Sequence, residues 1–378
     1  NTFFDPNTFF DDLVGVTKNT GSVAEKVGFK VAAAEAPYII TKPIHRSQQV
    51  VERLADGSVI LEIEVVINHE LERVFFGYAE GIQVLYPQTL VELLQQSVGE
   101  EQIEAFLRAD NEIAATCLQV NTLLSDALEA EQALTQLGIA FEKHLWLDGC
   151  YLVRGTGNLA QLELFSSGKV YVQDASAKLA AMAAGVRPGM RVLDTCAAPG
   201  GKSFALAMEM KNEGSVTSCD IHAHKISLIE KGAARLGISI ITAREADASK
   251  FQEEFKDGFD VVVADVPCSG LGVIRKKPDI RYKDLAPAER LPQVQAAILE
   301  NVSRYVRPGG ALLYSTCTVL RRENEDVANA FLARHPAFHL EAFTVPDGLD
   351  GQNGGMLTLY PHVHEADGFF ICKLRKNK

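Results

Sequence analysis

Residues 191–220 read RVLDTCAAPGGKSFALAMEMKNEGSVTSCD, and this stretch decides the fold. RVLDTCA is a short apolar run of strand length, and the Ala-Pro-Gly-Gly that follows is turn chemistry. FALAMEM then reads as a helix, and SVTSCD as a second apolar strand ending on an acid. The same alternation continues to the C-terminus. A helix is expected over residues 226–236, strands at SIITARE, FDVVVAD and ALLYSTC, and a helix over residues 294–306. Apolar strands alternating with helices predict a parallel sheet covered on both faces, the doubly wound α/β fold. In such sheets ligands bind beyond the carboxyl ends of the strands. The residues to examine are therefore 194–201, Asp220, Asp247, 265–269 and 315–318.

Upstream, the chain of 378 residues has room for two further modules. Residues 1–86 are strand-rich, with period-2 alternation over 58–67 after the turn Asp56-Gly57, a helix over 70–77 and a strand over 82–86. Residues 87–170 predict a small α+β module. It has a helical run over 88–108, a strand over 117–123, a helix over 127–137 stopped by Gly138, and strands near 140–147 and 150–153. The third module is 171–378. Net charge is -12, which excludes a protein that coats nucleic acid indiscriminately but leaves room for a local basic groove. The seven cysteines are scattered with no CxxC pair, so neither a disulfide framework nor a metal site is expected and a reduced, cytoplasmic setting fits. No apolar run has membrane-spanning length and no secretory leader is visible. The chain opens on Asn rather than Met, as a processed or truncated chain would.

The turn Cys196-Ala197-Ala198-Pro199-Gly200-Gly201-Lys202 brings small residues to a helix N-terminus, where backbone can approach a ligand. Asp220 ends the next strand about twenty residues on, where a ribose diol is held. The stretch is not a GxGxxG dinucleotide pattern, and Asp194 disfavours a pyrophosphate. An acid there suits an ammonium or sulfonium, as in S-adenosylmethionine, which also carries a ribose and no phosphate. Asp247 ends the third strand, where it would read an adenine amino group. Taken singly, each of these is no more than a turn with a solvated acid.

Two thiols sit at strand ends, Cys268 in VADVPCSG and Cys317 in LLYSTCT. The residues alone leave them equivalent. The motifs DTCAAPGGK, ADVPCSGLG and YSTCTVLRRENED closely resemble the RNA cytosine-5 methyltransferases of the Sun/Nop family, which include bacterial 16S ribosomal RNA methyltransferases, from about residue 87 to the C-terminus. The resemblance implies a class I, Rossmann-like methyltransferase sheet, S-adenosylmethionine as cofactor and RNA, above all ribosomal RNA, as partner. It implies Cys317 as the nucleophile that adds to carbon 6 of cytosine, Cys268 in product release, Asp265 on the cytosine edge and beside the cofactor, and Lys202 organising the site. A monomer is expected. A transfer-RNA cytosine-5 methyltransferase and a catalytically silent RNA-binding or regulatory protein are the alternatives.

The basic run Arg275-Lys276-Lys277-Pro278-Asp279-Ile280-Arg281-Tyr282-Lys283 follows the Pro-Cys motif, and the family uses this segment at its RNA groove. Arg321 and Arg322, expected to begin the helix after Cys317, are further phosphate candidates. The 87–170 module resembles the family's small RNA-binding subdomain, with Gln119-Val120-Asn121-Thr122 where the family often has Arg-Val-Asn-Thr. That departure is expected to remove one cation from the surface and puts Asn121 as an RNA contact in doubt. Residues 171–176 match the approach to the cofactor pocket. Residues 1–86 resemble the C-terminal extension of WYL-domain transcription regulators.

Overall fold

The computed structural model describes Val14, residues 24–66, Leu71, and residues 82–282, 285–349 and 354–378. The helix expected over 70–77, apart from Leu71, and Lys283 of the basic run lie outside the described residues. The chain divides into two compact units, residues 1–112 with 274–284, and residues 113–273 with 285–378. No helix among the described residues is long and apolar enough to cross a membrane.

In the first unit, β1 (Glu25–Val31), β2 (Gln49–Arg53), β3 (Val59–Val65) and β4 (Ile82–Val84) form an antiparallel sheet in the order β2-β3-β1-β4. The alternation read from the sequence is real: Val59, Leu61, Ile63 and Val65 are buried while Glu64 faces solvent. The buried face packs with Phe29 and with Ile39 of helix Ala36–Thr41. The helical run expected over 88–108 is two helices, Gln88–Val98 and Ile103–Asp110. Gly99, at φ +93°, breaks it with a backbone conformation that side chains with a Cβ avoid. Both helices fall in this unit although the sequence assigns them to the middle module.

The basic segment 274–284 also belongs to the first unit. Lys276 and Lys277 are exposed and Arg275 is half-buried. Arg281 is not a surface cation: it is 6% exposed, stacks 4.6 Å over the Tyr86 ring and donates to the Asp110 carbonyl. A guanidinium committed in this way is a structural tie, which corrects its reading as an RNA contact.

In the second unit, β5 (Thr116–Val120), β6 (Phe141–Lys143), β7 (Cys150–Val153) and β8 (Val170–Val172) make a small antiparallel sheet in the order β6-β7-β5-β8. The large sheet contains β9 (Arg191–Asp194), β10 (Ser215–Asp220), β11 (Ile241–Glu245), β12 (Phe259–Asp265), β13 (Val306–Thr316), β14 (Phe338–Leu340), β15 (Met356–Leu359) and β16 (Phe369–Lys376). Its order is β11-β10-β9-β12-β13-β16-β14, with β15 also on β16. The first five strands are parallel; β14, β15 and β16 add an antiparallel end to the expected parallel sheet. Successive side chains enter opposite cores. Val261, Val263 and Leu313 face helices Ala175–Ala183 and Gly201–Glu209, while Val262, Ala264, Leu312 and Tyr314 face Leu291–Val302 and Glu325–Arg334. The chain winds outward from β9 to β11, then returns beside β9 as β12. That reversal is the topological switch point.

Two positions expected at an RNA surface are interior. Gln119 is 2% exposed and donates to the Gln173 carbonyl, so the residue replacing the family's Arg removes no surface cation here. Asn121 is fully buried, donating to the carbonyls of Gly168 and Leu236 while its own oxygen accepts the Leu123 N–H. It thereby ties the small sheet to the helix Ala223–Arg235 that covers the large one. Asn121→Ala would orphan buried carbonyls at a cost of about 1–3 kcal/mol. Urea unfolding will show this loss of stability, while the salt dependence of RNA binding stays that of the wild type; an equally stable variant contradicts the tie.

Candidate active site

The switch point collects the two thiols, Asp265, Lys202 and the 196–202 loop. β12 and β13 pair in parallel with Asp265 opposite Ser315, so the chain beyond each strand emerges side by side. Cys268 and Cys317 follow three and two residues later, and their sulfurs lie 3.2 Å apart, within S–H···S distance. Backbone contacts hold the second loop close: the Gly272 N–H donates to the Cys317 carbonyl, and the Gly272 carbonyl accepts the Gly368 N–H. A Cβ on Gly272 would lie 1.9 Å from the Gly368 oxygen, so only glycine permits this approach.

Asp265 is braced on both oxygens. Lys202 Nζ, from the first turn of helix Gly201–Glu209, donates to Oδ2 at 2.7 Å, and Ser315 Oγ donates to Oδ1 at 2.8 Å. Lys202 also lies 5.0 Å from the centre of the Phe369 ring. Burial by itself would lower the Lys202 amine, but the charge and hydrogen bond of Asp265, with the charges of Asp194 and Cys317, hold it above its ordinary value. Lys202 therefore stays a cation next to Cys317. Cys268 is pushed well above the usual thiol range, first by its bond to Cys317, then by burial and the charges of Cys317 and Glu323. Either sulfur can donate in this contact, and these influences favour the protonated form of Cys268.

The loop 196–202 runs from β9 into the same helix. Gly200 caps the helix at φ +115°, where a Cβ would meet the Phe204 ring at 2.3 Å. Asp220 accepts the Ala198 N–H at 3.3 Å and the His222 N–H at 2.9 Å, so it binds the end of β10 to the loop. Beside it a shallow cleft is lined by Leu193, Cys219, Asp247, Phe255 and Tyr305 among others. Asp247 turns its Oδ1 to the N–H and hydroxyl of Ser249. Cys196 is half-buried in the loop, its thiol raised by burial and by the charges of Asp194, Asp265 and Asp220. Such a thiol packs rather than reacts.

Arg321 is exposed and pairs with Asp326 at 3.6 Å. Arg322 is half-buried. Both occupy a 3₁₀ turn, Arg321–Glu323, ahead of the helix Glu325–Arg334 they were expected to begin. The sequence placed Ser315 in the range to examine without giving it a role, and it did not single out Gln295 or Glu323. Ser315 and Glu323 stand within a quoted motif, and a charged residue in a strand-following turn that also carries the thiol was the available signal; Gln295 had none.

The chain matches three family models: 16S rRNA methyltransferase RsmB/F over residues 181–375, the RsmF/B-like ferredoxin-like domain over 86–158, and the WCX domain over 24–100. It is 41% identical over 298 residues to the Bacillus subtilis protein named "Probable ribosomal RNA small subunit methyltransferase B", covering 77% of this chain and 66% of that one. A Synechocystis protein of the same name is 35% identical, with 78% and 68% covered. The structure of a methyltransferase homolog protein from Pyrococcus horikoshii superposes with a TM-score of 0.66 at 26% identity, covering 82% of this chain and all of that one. The chain thus spans about two thirds of the length of these curated relatives.

Asp194, at the end of β9, is fully buried; its Oδ2 accepts the Ser203 hydroxyl and its Oδ1 has no hydrogen-bond partner among the described residues. Burial, and secondarily the charge of Asp265, raise its carboxyl from 3.8 to about 6 against the opposing Ser203 bond and Lys202 charge. A carboxyl raised in the folded state adds stability below its unfolded value and loses it as pH climbs through the folded one. Asp194→Asn removes that dependence. Urea unfolding will show the variant gaining on the wild type between pH 4 and pH 6 and holding its lead above; a pH-independent difference contradicts the burial.

Proposed function

The chain belongs to the RsmB/F family of 16S rRNA methyltransferases, and on that premise we propose that it methylates carbon 5 of cytosine in ribosomal RNA. The observation that carries this reading is the Cys268–Cys317 pair at 3.2 Å beyond the strand ends that also present Asp265, with Lys202 of the adjoining helix bonded to that acid. A methylase acting at an exocyclic amine needs no paired thiols. Carbon 5 of cytosine is a weak nucleophile until a thiolate adds at carbon 6, and that demand explains a cysteine next to a cation.

The residues fit S-adenosylmethionine: a glycine-lined helix N-terminus, an acid ending β10, an adjacent cleft, and a buried Asp194 carboxylate whose Oδ1 has no hydrogen-bond partner among the described residues. Cys196, Ala197, Ala198, Pro199, Gly200, Gly201, Asp220 and Asp247 would hold it, with Asp265 and Lys202 at the reacting end. Bound there, it supplies an electrophilic methyl group. Cys317 forms the bond to carbon 6, which moves electron density onto carbon 5. Asp265, fixed by Lys202 and Ser315, accepts a hydrogen bond from the cytosine edge and holds the ring in that activated form. Once carbon 5 has gained the methyl group, a water molecule takes up its proton, the electron pair of that C–H bond re-forms the 5,6 double bond, and Cys317 leaves carbon 6 as a thiolate. Cys268, keeping its proton beside that sulfur, stabilises the departure. Arg275, Lys276, Lys277, Arg321 and Arg322 are the candidate phosphate contacts, and in the three-part reading at 1–86, 87–170 and 171–378 the middle part is a further candidate for holding RNA. We place the reaction in the cytoplasm, carried out by a monomer.

With methyl-labelled S-adenosylmethionine and total RNA, label will map to a cytosine of small-subunit ribosomal RNA; label on transfer RNA alone moves the substrate, and label on adenine or protein rejects the reading. Cys317→Ala will lose transfer, by at least a thousandfold, while Cys268→Ala will accumulate a denaturant-resistant protein–RNA adduct. A Cys317→Ala enzyme of normal activity overturns the assignment of the nucleophile.

A further inference from the structure

Behind the two thiols lies a buried clamp that the proposed chemistry does not yet use. Glu323 and Gln295 are both completely buried. Glu323 Oε2 accepts the Ser269 N–H at 2.9 Å and the Gln295 amide at 2.8 Å. The same Gln295 nitrogen donates to the Pro267 carbonyl at 3.0 Å. The clamp thus grips the residues on either side of Cys268, Pro267 and Ser269. Glu323 belongs to the turn that follows Cys317, and its carbonyl accepts the Tyr314 hydroxyl at 2.5 Å. Ser269 Oγ also donates to Thr318 Oγ1 at 2.8 Å. Glu323 Oε1 has no hydrogen-bond partner among the described residues.

A buried carboxylate with one oxygen unsatisfied costs stability, and a well-packed apolar group would be cheaper. Its retention at this place is explained by what it fixes. The loop 266–272 has no regular structure to set the position of Cys268, and the clamp supplies that constraint from the chain segment that carries Cys317. We propose that Glu323, braced by Gln295, is a positioning residue that holds the Cys268 thiol against Cys317 for the release step, and that it takes no part in bond formation at carbon 6. The charge of Glu323 also works in the required direction, since it helps keep the proton on Cys268.

The inference rests on Cys268 as the releasing thiol, so Cys268→Ala is run alongside as control. The readouts are single-turnover methyl transfer to small-subunit RNA and the amount of denaturant-resistant protein–RNA adduct. Glu323→Ala is expected to keep single-turnover transfer within about threefold of wild type while adduct rises at least tenfold. Glu323→Gln, whose amide oxygen can still accept both N–H bonds, is expected to return adduct close to the wild-type level. Gln295→Ala, which leaves the carboxylate in place, is expected to raise adduct by a smaller factor, and it carries the test if Glu323→Ala does not fold. Wild-type adduct levels in folded Glu323→Ala, or in Gln295→Ala when it stands in, overturn the inference. So does a loss of transfer and adduct in parallel, the signature of general structural damage. If Cys268→Ala itself gives no adduct, the reading of Cys268 fails instead, and that failure is visible separately.

Discussion

The parallel pairing of β12 with β13, with Asp265 opposite Ser315, is the constraint on which the site depends. Register in a parallel ladder fixes which residues leave the sheet together, and a slip of one residue would send every following side chain to the opposite face. Because the two strands end level, chain segments far apart in sequence deliver their thiols to one point. The same ladder brings Ser315 onto the Asp265 carboxylate, whose other oxygen holds Lys202 from the neighbouring helix. The switch point beside β9 then opens the cofactor side of the same acid. Fold and site are one arrangement: the reversal of winding creates the crevice, and the register fills it.

Electrostatics divide the labour inside that crevice. Lys202 remains charged although buried, because its pair with Asp265 outweighs the cost of desolvation. Two thiols that share one hydrogen bond cannot be equivalent. Burial and the charge of Glu323 favour the protonated form of Cys268, whereas Lys202 and Cys317 are within electrostatic reach of each other. The protein as a whole carries a charge of -12, so any attraction to RNA is local, and Lys276, Lys277 and Arg321 are the proposed cations for it.

Much of this was legible in the sequence because strand, turn and helix signals agree over residues 191–220. The strand ends Asp194, Asp220, Asp265 and Thr316 are where the apolar runs stop. What escaped was of two kinds. The antiparallel strands β14, β15 and β16 depend on pairing with distant partners, which local pattern does not encode. Charge and polarity also misled where a polar side chain turns inward. Arg281, Gln119 and Asn121 look like surface residues in sequence, yet each satisfies buried carbonyls. The clamp of Glu323 and Gln295 is of this kind, since its members stand 28 residues apart and neither announces the other.

The central claim is that Cys317, not its neighbour 3.2 Å away, bonds to carbon 6 of the target cytosine. The most direct measurement uses small-subunit RNA carrying 5-fluorocytidine, whose carbon 5 cannot shed its substituent as a proton, so the adduct stays closed. Digestion of the trapped complex and mass spectrometry of the RNA-linked peptide will place the nucleotide on Cys317. A cross-link on Cys268, or no cross-link with RNA that the enzyme methylates in its natural form, contradicts the account.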